Sequence, residues 1–321
     1  MRLLVAGATG AVGRPLVRQL VERGHEVVAT TRSPQKLDAL RKAGARPIVL
    51  DGLDRDAVAR AVADARPEAI IHQMTALSAT PDFKHFDRWF AVTNELRTRG
   101  TDNLLAAARA TRVRLFIAQG YTGWNNSRGQ GKLSTEDDPP DPHPPSAQAR
   151  TMEALRYLER VVLDAPLTGV VLRYGNLYGP HASDAMVAMV RKRMVPIVGN
   201  GSGVWSWLHV DDAAAAAVAA LERGSRGVYN VVDDEPAPAC QWLPWLAQAV
   251  GAKPPFHLPA WIARFFIGDA GVRFMTEGRG ASNAKAKREL RLQLTWPTWR
   301  DGFRAGLAEA ARADFEHRAA A

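Results

Sequence analysis

One cysteine, Cys240, stands in a chain of 321 residues. That excludes an internal disulfide and any cysteine-based zinc site. No His, Asp and Glu grouping has metal-ligand spacing either, so no metal is expected. No run of about 18 apolar residues occurs, which argues against a spanning helix. Glycine arrives too early in the opening MRLLVAGATG for a secretory signal, so a cytoplasmic protein is expected. Lysine is scarce: 8 of 42 basic residues, the other 34 being arginine. The arginines are scattered, with no block of five or six. The net charge of +9 therefore reads as an arginine-rich solvated surface rather than a nucleic-acid stripe. Neither a nucleic acid nor a membrane is an expected partner. A G-x-S-x-G elbow is also missing, which disfavours an α/β-hydrolase.

What is present is alternation. Short apolar runs at Leu3–Ala6, Val27–Thr30, Ile48–Leu50, Ala69–His72 and Leu115–Ala118 read as buried strands. Helically spaced segments separate them. Val12, Leu16, Val17, Leu20 and Val21 share one helical face. A long helix is expected from about Phe86 to Ala110, another near Thr151–Leu163, then a strand at Gly169–Arg173. The pattern predicts crossover units on a doubly wound parallel α/β sheet of the Rossmann type. It loosens after about residue 175, where proline and glycine become frequent. Residues 1–174 are expected to form the nucleotide-binding domain and 175–321 mainly a smaller substrate-binding one. A strand at Val228–Val232 is placed to return to the first. The proline-rich stretch 122–150 reads as a long functional loop.

The strongest local signal is Gly7-Ala-Thr9-Gly10-Ala11-Val12-Gly13, between an apolar strand and an amphipathic helix. That context suits a dinucleotide-binding turn. Gly7 would permit the tight turn, Gly10 a close approach of the pyrophosphate, and Gly13 close helix packing. The alternative is a plain structural turn. About 20 residues on, where an acid would hold the ribose of NAD, the chain has Thr31-Arg32-Ser33. A guanidinium there suits a 2′-phosphate, so NADP(H) is expected over NAD(H). Asp51, ahead of Gly52 and Leu53, is positioned to meet the adenine amino group or to cap the next helix.

With these motifs, and with RGTDNLLAAARA at 99–110, LRYGNLYGP at 172–180 and GNGSGVWSWLHVDDAAAA at 199–216, the chain resembles the extended short-chain dehydrogenase/reductase family, its NAD-dependent epimerase/dehydratase group. The resemblance implies a Rossmann domain with a partly discontinuous substrate domain. It implies nicotinamide-side contacts at Tyr174, Gly175, Asn176 and Leu177, and further cofactor contacts at Gln73, Met74, Thr75 and Gln119.

The departures from the family pattern are informative. Family members pair a catalytic Tyr with a Lys four residues later. None of Tyr121, Tyr157, Tyr174, Tyr178 and Tyr229 has that Lys. Arg150 is the cation nearest the expected window, and a guanidinium of pKa above about 12 cannot shuttle protons. By alignment, Tyr121 or Thr122 replaces the family's Ser/Thr hydroxyl, with Tyr121 the better acid. The arginine that meets a substrate phosphate in nucleotide-sugar enzymes is replaced in Val204–His209, which argues against a UDP- or GDP-sugar. Trp124, Trp205, Trp207 and His143 are candidate substrate contacts, each with a plainer reading as core or solvated loop. The expectation is an NADP-dependent oxidoreductase or epimerase-like enzyme for a small, rather apolar carbonyl or hydroxyl compound, in a possible homodimer. A silent NADP-binding sensor or scaffold, and a non-redox isomerase, dehydratase or cyclase, stay open.

Overall fold

The computed structural model describes residues 1–77, 82–123, 133–138, 141 and 143–307. Seven strands form one parallel sheet: β1 (Arg2–Ala6), β2 (Glu26–Thr31), β3 (Arg46–Val49), β4 (Ala69–His72), β5 (Leu115–Tyr121), β6 (Thr168–Tyr174) and β7 (Gly227–Val231). Their order is β7-β6-β5-β4-β1-β2-β3. The order reverses between β1 and β4, and ligands bind at such a switch point.

Both faces of the sheet are covered. Along β1, Leu3 and Val5 point to one side and Leu4 and Ala6 to the other, all fully buried. The first side packs on α1 (Gly13–Glu22) through Leu16, Val17 and Leu20. It also packs on the alanine-rich Val210–Arg223 helix. The second side packs on α2 (Arg55–Ala65), α3 (Thr101–Thr111) and α4 (Ala149–Leu163), with Val62, Leu104 and Leu158 in that core. Continuous apolar strands are the consequence of this double cover.

Strands and helices fall within a few residues of the sequence expectation, with one exception. The long helix expected from Phe86 is broken into short helices at Phe86–Trp89 and Ala91–Glu95, a π turn at Leu96–Gly100, and then α3. The π turn carries Leu96, Arg97 and Gly100 inward. Its Leu96 carbonyl faces the imidazole Nε2 of buried His72 at 3.3 Å.

Beyond β6 lies a separate aromatic core. Trp205 and Trp207 pack on Trp242 with ring centroids 4.6 and 4.9 Å away. Trp261 lies outside this core and is 67% exposed. His209 caps the Val210–Arg223 helix, Nδ1 accepting from the Asp211 N–H. Asp212 accepts from the Thr295 and Trp296 N–H groups and ties down the C-terminal segment. The Glu136–Asp138 acids bind other parts of the fold. Glu136 accepts from the Asn230 N–H on β7, and Asp138 pairs with Arg279 at 2.9 Å.

Candidate functional site

A cavity of about 610 Å³ opens at the switch point and runs from the glycine turn to the tryptophan cluster. At its first end the three glycines differ in what they do. A Cβ on Gly7 would meet backbone atoms of Gln73 at 2.7 Å, and Gly7 has φ +90°. A Cβ on Gly13 would meet the Gly7 carbonyl oxygen at 2.3 Å. Both glycines are required by the fold itself. A Cβ on Gly10 would meet only that oxygen, at 3.4 Å. Packing does not explain the bare Gly10, whose open side faces the cavity. No side chain caps α1 and no acid lies in its first turn, so its N-terminus offers uncompensated positive charge.

Past β2, Arg32, Ser33 and Lys36 line the cavity with no acid among them, and Arg14 faces it from α1. Thr31 braces this corner: its hydroxyl lies 3.1 Å from that of Thr9 and accepts from the Ser33 N–H.

The other end is built from the ends of β4, β5 and β6. Gln73 donates to the Tyr174 hydroxyl at 3.2 Å, which donates to the Ala213 carbonyl at 3.1 Å. Burial pushes the Tyr174 phenol up. The Gln73 Oε1 atom is buried without a partner among the described residues. Tyr121 donates to Asn176 Oδ1 at 2.7 Å. Burial raises the Tyr121 phenol too, and the nearby Arg97 guanidinium only partly offsets it. Arg97 is 4% exposed, and burial pulls it down to about 10, so it stays a cation at neutral pH. Phe83, Phe86, Trp89 and Phe90 form an aromatic wall beside it.

The cavity brings together Gly7, Thr9, Gly10, Ala11, Arg32, Gly52, Gln73, Met74, Thr75, Gln119, Tyr121, Tyr174, Gly175, Asn176, Leu177, Trp205 and Trp207. Other candidates fall outside its lining. Val12 and Gly13 are buried under the turn. Asp51 is exposed and its carboxylate accepts from the Leu53 N–H. Thr122 is 3% exposed, and its N–H donates to the Tyr174 carbonyl. His143 is exposed on the loop, away from the cavity lining. Trp124 lies outside the described residues.

Sequence reading missed Lys36, Arg14, the Phe83–Phe90 wall and Arg97. The last had a signal. Thr93, Arg97, Thr101, Leu104 and Ala108 recur at helical spacing as one buried stripe. A cation inside such a stripe is out of place unless something pairs with it.

The sequence pattern of the NAD dependent epimerase/dehydratase family matches residues 3–232. A Streptomyces protein named 3-diazoavenalumate denitrifying reductase is 45% identical over 312 residues, covering 94% of this chain and 99% of its own. A UDP-glucose 4-epimerase from Thermotoga maritima, solved with UDP-glucose, superposes with a TM-score of 0.77 at 23% identity, covering 98% of this chain and 100% of that one. The Thermus thermophilus UDP-glucose 4-epimerase, solved with NAD, gives 0.74 at 26% identity, with 97% and 99% covered.

Proposed function

Because the chain belongs to the NAD dependent epimerase/dehydratase family, we propose that it is an NADPH-dependent reductase that removes a diazo group from an aromatic substrate. It is an enzyme of the family's oxidoreductase and epimerase kind. The finer reading rests first on the cofactor end. Gly10 leaves room for a pyrophosphate at the α1 N-terminus. Arg32, Ser33 and Lys36 supply two charges and a hydroxyl for a 2′-phosphate, where an acid would repel it. When bound, the reduced nicotinamide supplies a hydride.

The observation that carries the reaction type is the make-up of the other end. No tyrosine has lysine four residues on. Three tyrosines line the cavity, Tyr121, Tyr174 and Tyr178, and burial holds the proton on each; Tyr121 donates to Asn176 Oδ1 and Tyr174 to the Ala213 carbonyl. Among the described lining residues the one lysine is Lys36, on the turn after β2. Carbonyl reduction needs a hydride and a proton. A diazonium group differs: its terminal nitrogen accepts the hydride to give an aryldiazene, the N–H proton passes to water as dinitrogen leaves, and the ring carbon takes a proton back from water. The overall change takes one hydride and no net proton. A substrate of this class suits a site with no proton shuttle, and a diazo compound is what the Streptomyces relative's name specifies. The aromatic wall and the buried Trp205 and Trp207 suit a flat aromatic guest.

The test is direct. The enzyme is mixed with NADPH and an ortho-diazophenol. NADPH absorbance should fall, dinitrogen should evolve in step with it, and the phenol with hydrogen at the former diazo carbon should form. Reduction of ketones but not of diazo compounds under the same conditions would overturn the reading.

A further inference from the structure

Among the described residues two arginines are deeply buried, and they are treated differently. Arg173 meets Glu159 through two parallel hydrogen bonds, Nε to Oε1 at 2.7 Å and Nη2 to Oε2 at 2.8 Å. That is the ordinary arrangement, because a buried charge left unpaired is costly. Arg97 has no such partner. Its one hydrogen bond to the described residues runs from Nη1 to Asn94 Oδ1 at 3.5 Å, the outer limit for such a bond, and its other side stacks 5.5 Å over the Phe90 ring. No carboxylate pairs with it among the described residues. The acid nearest in the network, Asp87, is already held by the Arg150 and Thr151 N–H groups and the Thr151 hydroxyl. Arg97 lines the cavity. The π turn at Leu96–Gly100 turns it inward, and such turns recur at functional sites.

The cofactor does not account for this cation. The phosphate-facing groups are the glycine turn, Arg14, Arg32 and Lys36. Arg97 instead neighbours Tyr121 and the aromatic wall. A charged fork beside aromatic rings and facing a cavity recognises a planar anion whose oxygens accept two hydrogen bonds.

We propose that Arg97 is the anion-binding residue of the substrate subsite, and that the substrate is an aromatic compound carrying a carboxylate, its ring lying against Phe90 and its neighbours. This rests on the reading of the cavity's aromatic end as the substrate site. Arg97 thereby sets specificity and orientation, and it takes no part in moving the hydride.

The test is binding, which needs no turnover. The protein, with and without saturating NADP⁺, is titrated calorimetrically with 4-hydroxycinnamate and with its primary amide, which matches it in shape but is neutral. The carboxylate should bind at least tenfold more tightly. Arg97→Gln should reduce that preference to within about twofold and leave affinity for the amide and for NADP⁺ unchanged, while Arg97→Lys keeps part of it. Equal affinity of the wild type for both ligands would overturn the proposal. So would a preference that survives Arg97→Gln, or a parallel loss of NADP⁺ affinity. A second measurement stands if Arg97→Gln does not fold. Replacing an unpaired buried cation by an apolar chain of similar length should stabilise the ligand-free protein. Arg97→Met should therefore raise its thermal midpoint, and a fall of several degrees would mark Arg97 as a structural cation. Carboxylate preference without diazo turnover would sink the reaction and leave this subsite standing. Diazo turnover with no carboxylate preference would do the reverse.

Discussion

The Tyr121 hydroxyl donates to Asn176 Oδ1 at 2.7 Å, and the Asn176 amide in turn donates to the Ser206 carbonyl at 3.1 Å. The phenol is thus a fixed donor at the end of a backbone-anchored chain, and burial raises its pKa. Its position invites a role as acid, yet a diazo substrate needs none. Tyr121→Phe should keep turnover of a diazo substrate within about tenfold of wild type. The loss expected from deleting a general acid is roughly 10²–10⁴-fold. A loss of that size, measured as kcat under saturating NADPH, would make Tyr121 the proton donor and point back to carbonyl reduction. The variant should also lose about 1–3 kcal/mol of stability, because Asn176 Oδ1 is left without its donor.

The glycine turn separates fold from function by position. Gly7→Ala and Gly13→Ala each force a Cβ into backbone atoms, at 2.7 and 2.3 Å. Both should fail to fold or should lose several degrees of thermal midpoint. Gly10→Ala has only a 3.4 Å neighbour in the protein, so its circular dichroism and midpoint should match wild type. Its affinity for NADPH should nevertheless drop at least tenfold, since the methyl group fills the space proposed for the pyrophosphate. Unchanged binding in Gly10→Ala would remove the turn from the cofactor site.

The corner after β2 makes a prediction about selectivity. Arg32 and Lys36 line the same corner of the cavity as the Ser33 hydroxyl. Charge-assisted contacts to a phosphate are stronger than neutral ones. Arg32→Ala should weaken NADPH binding by about tenfold or more, and Arg32→Ala with Lys36→Ala further, with little change for NADH. Raising the salt concentration should narrow the wild-type preference. Equal losses for both cofactors in the double variant would mean that the cations hold the shared diphosphate instead.

How far the sequence could be read depended on which force placed each residue. The seven strands of the sheet and the glycine turn were legible because they follow local rules: apolar runs covered on both sides, and a backbone that tolerates only glycine at Gly7. The corner after β2 was half legible. Arg32 stood at a fixed distance from the turn, whereas Lys36 reaches the cavity through the short 3₁₀ turn Pro34–Lys36, which periodicity does not reveal. The aromatic end of the cavity was mostly hidden. Arg97 falls in a buried stripe of helical spacing, but the π turn that holds it, with its Leu96 carbonyl beside the His72 imidazole, and the cavity and aromatic wall it faces are products of the tertiary fold. Trp205 and Trp207 line the cavity, but the order of tryptophans along the chain does not foretell the stack they form with Trp242.

That imidazole also governs the response to acid. His72 is buried, its Nδ1 accepts from the Met74 N–H, and its Nε2 faces the Leu96 carbonyl. One nitrogen must accept and the other donate, so the network demands the neutral ring, and burial lowers its pKa to about 4. His209 is lowered to about 4 as well, chiefly by burial. In the unfolded chain both titrate near their ordinary value of about 6.5. Between about pH 6.5 and 4 the unfolded state therefore binds more protons than the folded one. Stability must rise with pH through that window and be lost as pH falls through it. The full effect is on the order of 3 kcal/mol for each ring, reached only below pH 4. Thermal midpoints should be level above about pH 7 and drop by several degrees toward pH 5. His72→Gln should start lower, because its network is imperfectly replaced, and show a shallower decline over the same range. A wild-type midpoint that stays flat from pH 7 to 5 would mean that neither imidazole is held neutral by the fold.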